Sequence, residues 1–115
     1  MSRLRSILIT ALMLAAAAET PAHAAAVSVN ATRVTLIEPS YMPDSVAFWI
    51  DKPVGACPAS TFLRWYARGP DAVAKTANVN AIYSLLVTAL ASGKTLNVSV
   101  DDSNCSVAVV QINNN

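Results

Sequence analysis

Histidine is almost absent from this 115-residue chain. Its one copy, His23, falls in a segment with the marks of a cleaved leader, so the remainder has none. That removes the commonest general base and the commonest metal ligand near neutral pH. It argues against Ser-His-Asp or Cys-His catalysis and against a zinc site, and no cofactor is implied. An excess of charge of either sign is also missing beyond the leader. Arg33, Lys52, Arg64, Arg68, Lys75 and Lys94 balance Glu38, Asp44, Asp51, Asp71, Asp101 and Asp102. Without a basic patch to grip a phosphate backbone, nucleic acid is excluded as a partner. The apolar runs Ile7 to Ala18 and Ala81 to Ala91 are too short to span a bilayer, which takes about 20 residues. No internal repeat, linker or second domain is visible.

The start of the chain is informative. Arg3 and Arg5 precede the apolar run, and Ala22-His23-Ala24 follows it. A basic start, a short apolar middle and a small-x-small end describe a secretory signal peptide. Cleavage is expected after Ala24, with Ala26 as the alternative site and a retained membrane anchor as the competing reading. The mature protein is then a single small domain, residues 25–115, with no membrane span, in the periplasm or medium of a bacterium. Cys57 and Cys105 are the only cysteines, and two cysteines in an exported domain are expected to pair. The bridge would close a loop of about 49 residues, worth about 4 kcal/mol on the chain-entropy view.

Alternation predicts five strands. The first runs over Val27 to Glu38 with a bulge or bend near Thr32-Arg33, where the apolar phase changes. The others are Ser45 to Asp51, Thr61 to Ala67, Lys94 to Asp101 and Cys105 to Ile112. Between the third and fourth, Val79, Ile82, Tyr83, Leu86, Ala89 and Leu90 form one apolar helical stripe. Asn78 is the expected N-cap, Gly93 the left-handed C-cap, and Lys94 the cation beside the helix's negative end. Ala72 to Ala77 is undecided between helical turn and loop. Asn113 to Asn115 should fray.

Strand, strand, strand, helix, strand, strand is the order of the five-stranded oligonucleotide/oligosaccharide-binding (OB) Greek-key barrel, so the expected fold is mostly β with one helix and one disulfide. A β-grasp-like or other α+β sheet shares some of these elements. In an OB barrel the third and fifth strands are parallel neighbours, so Cys57 and Cys105 would meet at their shared entrance.

The run Asn80 to Cys105 (NAIYSLLVTALASGKTLNVSVDDSNC) resembles the second half of small secreted bacterial proteins in which a "YSLLLxAxxSGKxVxVxV…C" segment follows a "CP…W" region. Its layout from Cys57 to Ile112 is also similar to the pentameric B subunits of exported bacterial toxins, subtilase cytotoxin among them. The resemblance implies a disulfide-bonded OB fold whose helix lines a central pore. No glycan-contacting residue of those subunits matches a position in this chain.

Two groups of side chains are candidates for function. Arg64, Tyr66 and Arg68, with Trp49 on the second strand, gather aromatic and guanidinium groups around the usual OB ligand face; rings stack on sugars, and arginine binds carboxylates in pairs of hydrogen bonds. Tyr66 and Arg64 point opposite Trp65. Trp49 and Trp65 are each also of a size to fill the core. On the helix, Asn80, Ser84, Thr88 and Ala91 make an uncharged outer face, a candidate self-association surface, and an Ala/Ser/Thr-rich helix with no partner is the plainer explanation. Asp101 and Asp102 diverge in a turn, and Ser60 and Thr61 lack a histidine or lysine partner, so no catalytic residue is assigned. The Asn-x-Ser/Thr triplets at Asn30, Asn97 and Asn104 are chance matches. The expectation is an exported, non-enzymatic domain that binds a ligand such as a glycan or assembles with copies of itself. A structural or accessory periplasmic protein with a protein partner, an inhibitor or a chaperone-like factor, is the alternative.

Overall fold

The computed structural model describes residues 26–115; the expected signal peptide, residues 1–24, lies outside them. The strands are β1 (Val27–Thr32), β2 (Val34–Glu38), β3 (Ser45–Ile50), β4 (Leu63–Tyr66), β5 (Leu96–Asp101) and β6 (Ser106–Ile112), and the helix α1 (Ala72–Ser92) lies between β4 and β5. They form one sheet in the order β1-β5-β6-β4-β3-β2. Only β4 and β6 pair in parallel; all other pairs are antiparallel.

The sheet has six strands where the alternation predicts five, because the first breaks at Arg33. Its early part pairs with β5 and its later part with β3, so one straight ladder cannot serve both. The break falls where the apolar phase changes. Ala31 takes a positive φ of 53°, and the register with β5 shifts between Val29 and Thr32. Since β1 and β2 end the strand order yet are separated by one residue, the sheet must curl until its outermost strands meet.

Asp51 fastens that junction. One carboxylate oxygen accepts from the Arg33 N–H and the buried Thr32 hydroxyl, both at 2.8 Å, while the Asp51 N–H donates to the Arg33 carbonyl. The Arg33 hydrogen bond, helped by that of Thr32 and the charge of Lys52 and opposed by burial, holds the Asp51 carboxyl below its ordinary value of 3.8. A folded-state value below the unfolded one means stability that is present above the unfolded value and lost as pH falls through the folded one. Glu38 and Asp101, lowered chiefly by the Ser40 and Ser103 hydroxyls, act in the same direction. Urea titrations at pH 7 and pH 3 should therefore show a steeper acid loss for the natural protein than for Asp51→Asn, whose amide oxygen still accepts but does not titrate.

The helix begins seven residues earlier than expected. Asp71, not Asn78, is its N-cap and accepts from the Ala74 N–H at 2.8 Å. Gly93, at φ 70°, is the left-handed C-cap. The cation at the helix's C-terminal end is Arg33, which donates to the Gly93 carbonyl; Lys94 reaches Asn114 instead. The tail does not fray. Asn113 donates from its amide to the Thr95 hydroxyl and to Asn97, and Asn115 accepts from the Thr95 N–H and hydroxyl.

The interior is filled from both sides of the chain order: Val46, Phe48 and Ile50 from β3, Leu63 and Trp65 from β4, the even positions Leu96, Val98 and Val100 from β5, and Val79, Leu86 and Ala89 from α1. Cys57 and Cys105 are bridged, their Cα atoms 5.9 Å apart. The bridge sits beside the parallel pairing, where Arg64 faces Ser106 and its N–H donates to the Cys105 carbonyl. No helix among the described residues is long and apolar enough to cross a membrane.

Candidate binding site

Alternation on β4 sends Leu63 and Trp65 inward and Arg64 and Tyr66 outward. Across the ladder, Arg64 faces Ala47 and Tyr66 faces Ser45. Both partners are small, and both are buried beneath this otherwise open face at 1% and 3% exposure. Long side chains opposite small ones lie flat over the sheet rather than stand on it. The Arg64 guanidinium is centred 4.4 Å from the Tyr41 ring, 5.0 Å from Phe62 and 5.9 Å from Tyr66. Phe62 in turn meets Trp49 edge-on at 5.7 Å, and Trp49 pairs across the ladder with the exposed Leu36. The outer face of β2, β3 and β4 thus carries a continuous aromatic surface with one cation at its middle.

That cation is held by the surrounding rings. Its Nε is buried and has no hydrogen-bond partner among the described residues. A buried donor left unpaired is disfavoured by about 1–3 kcal/mol, and the ring faces compensate through their negative quadrupoles. Tyr41, Phe62 and Tyr66 remain substantially exposed. Aromatic planes beside a hydrogen-bonding guanidinium make a surface able to stack a ligand ring and donate to its oxygens.

Of the four ligand-face candidates, Arg64, Tyr66 and Trp49 share this surface and Arg68 does not. Arg68 lies 3.8 Å over the buried Trp65 ring, and its guanidinium donates to the carbonyls of Val107 and Ala108. With a single residue pair joining β4 to β6, those β6 carbonyls lack a partner on β4, and Arg68 stands in for one. The Trp65 indole N–H donates to Asn78, which also accepts from the Arg68 N–H. Arg68→Ala should lower stability by about 2 kcal/mol, since it removes charge-assisted hydrogen bonds and the stacking of a cation on Trp65 together. Lysine should not restore it, since only the planar fork reaches two carbonyls. Thermal melts of the three proteins check this.

The two tryptophans divide: Trp65 is core, 6% exposed, and Trp49 is half-buried on the outer face. Phe62 and Tyr41 complete the surface. Phe62 has the same parity as Arg64 and Tyr66, so the alternation carries a signal for it. Tyr41 comes from the turn between β2 and β3, where periodicity says nothing.

Next to this surface lies a cleft of about 420 Å3 between the β2–β3 turn, the end of β4 and the start of α1. Tyr66 belongs to both. Asp44, Asp71, Lys75 and Thr76 supply its polar groups. Further along α1, Asn80, Ser84, Thr88 and Ala91 are all exposed. The Thr88 and Ser92 hydroxyls donate to carbonyls one turn back, and Val87 and Leu90 in the same half of the helix, like Val73 in its first turn, are exposed. Among the described residues, no three Cys, His, Asp or Glu side chains gather as metal ligands would. Comparison with protein-family models, with curated proteins and with solved structures finds no match to this chain.

Proposed function

We propose that the chain is an exported, non-enzymatic binding domain with an OB-like closed barrel, and that it holds a glycan on the outer face of β2 to β4. The observation that carries this reading is Arg64, a guanidinium ringed by the exposed aromatic side chains of Tyr41, Phe62 and Tyr66 on the outer face of the sheet. Stacking rings around an arginine guanidinium suit a sugar's apolar face and hydroxyl edge.

Several features support the barrel. With β1 and β2 counted as halves of one bent strand, the order runs first, fourth, fifth, third, second and back to first. The third and fifth strands of that count are parallel, and the helix separates the third from the fourth. That order is the one expected of an OB barrel and supports the reading; the second and third strands of such barrels are the customary ligand face. The leader-like start and the disulfide support export.

Assembly of a toxin-B type is the second part of the reading, favoured by the outer side of α1. No charged residue occurs from Thr76 to Gly93, and Val73 is 82% exposed. A structural or accessory role with a protein partner would use the same surface.

A glycan array and native mass spectrometry on the protein recovered after export test both parts. The expected result is binding to at least one glycan class, weakened about tenfold or more by Arg64→Ala or Trp49→Ala, as for central aromatic and arginine anchors elsewhere. A strictly monomeric species without glycan signal overturns the reading.

A further inference from the structure

We infer that the cleft beside Tyr66 is a second subsite that takes the next sugar of the same ligand through its hydroxyl groups, so that the natural ligand is an oligosaccharide of at least two units. The inference rests on the glycan reading above and adds the size and orientation of the ligand.

Four observations lead to it. The cleft, at about 420 Å3, falls within the range of small-molecule sites, about 300–1,000 Å3. It is contiguous with the aromatic face, because Tyr66 lines the cleft and also stands 5.9 Å from the Arg64 guanidinium. Its polar groups are mixed: the carboxylates of Asp44 and Asp71 accept, the Lys75 ammonium donates, and the Thr76 and Tyr66 hydroxyls do either. Neighbouring sugar hydroxyls present that same mixture of donors and acceptors. Finally, the two residues that carry the acceptors are anchored by hydrogen bonds to backbone groups. The Asp44 N–H donates to the Tyr41 carbonyl and its own carbonyl accepts from the Ala67 N–H, while one Asp71 oxygen accepts from the Ala74 N–H and the other has no partner among the described residues.

The polarity of the two subsites differs, and this orients the ligand. The face offers rings and one guanidinium donor. The cleft offers two carboxylate acceptors, a weak position for an anion and a strong one for neutral hydroxyls. A chain of sugars would therefore lay one unit on the face beside Arg64, cross the Tyr66 ring and place an uncharged, hydroxyl-rich unit in the cleft.

The test is a chain-length series. Neutral mono-, di- and trisaccharides built on glucose, galactose and mannose are titrated into the protein and followed by amide NMR shifts. At least one series should bind about tenfold tighter as di- than as monosaccharide, with shifts spreading from residues 62–66 to residues 71–76. Asp44→Asn should bring the di-to-mono ratio to within about twofold of unity, and so should Asp71→Asn, which keeps the helix-capping oxygen. If a monosaccharide binds at residues 62–66 and lengthening it adds nothing, the subsite is wrong and the glycan reading survives. If no series binds, both fall.

Discussion

Replacing Cys57 and Cys105 together by alanine is expected to lower the stability of the folded protein by about 4 kcal/mol, read as a shift of the urea midpoint at unchanged slope. The bridge spans 48 positions in the sequence, more than half of the described chain, so its removal releases a large loop in the unfolded state. Small domains are stable by only about 5–15 kcal/mol, so the loss removes a large share of the total. The effect should reach the aromatic face as well. β4 and β6 share one residue pair, Arg64 with Ser106, and the bridge lies next to it. Without it, that narrow seam depends on Arg68 and on the Arg64 N–H bond to Cys105. Loss of the bridge should therefore loosen Phe62 and Arg64 before the rest of the sheet, seen as faster amide exchange at β4 than at β5. A stability change under about 1 kcal/mol would contradict the expectation.

A second large effect is expected from a pair of neighbouring substitutions. Phe48→Ala should remove about 4 kcal/mol, because Phe48 is fully enclosed between sheet and helix and its loss leaves a void. Trp49→Ala, one residue on, should remove less, about 2 kcal/mol, from the edge-on pair with Phe62 and the buried half of its ring. The larger side chain has the smaller effect because strand geometry turns it to the other side of the sheet. The proposed glycan binding should reverse the order: Trp49→Ala weakens it about tenfold or more, whereas Phe48→Ala, if folded, retains it. Equal destabilisation by both would mean that Trp49 belongs to the core and that the aromatic surface is smaller than described.

Much of this is legible in the sequence, for physical reasons that can be traced. Two-residue alternation places Arg64 and Tyr66 opposite Trp65, because a strand offers its side chains no other choice. The cysteine pair and the Gly93 cap follow from chemistry that needs little context. The phase change at Thr32-Arg33 marks the right spot but cannot say that the ladder breaks there, since that depends on which strands flank each half. The helix start is undecidable locally: Asp71 and Asn78 are both good caps, and Asn78 is claimed by the Trp65 indole and the Arg68 N–H from another part of the chain. Aromatic neighbours suggest the ligand face for Arg68. Its actual role depends on β6 carbonyls left open by a short β4, a deficit no pattern along the chain encodes. The same holds for Asn113 and Asn115, whose partners are Thr95, just ahead of β5, and Asn97 on it.

The single-residue hinge at Arg33 limits where this domain can be altered. Every other connection between strands is a turn, loop or helix with slack, whereas here one residue joins both margins of the sheet and its side chain also tethers the far end of the helix. A peptide tag or cleavage site spliced in beside Arg33 would lengthen the circumference and spring the wrap open. The same insert at the Ser103-Asn104 turn would protrude into water, which makes that turn the natural attachment point for a fluorophore or an immobilising handle.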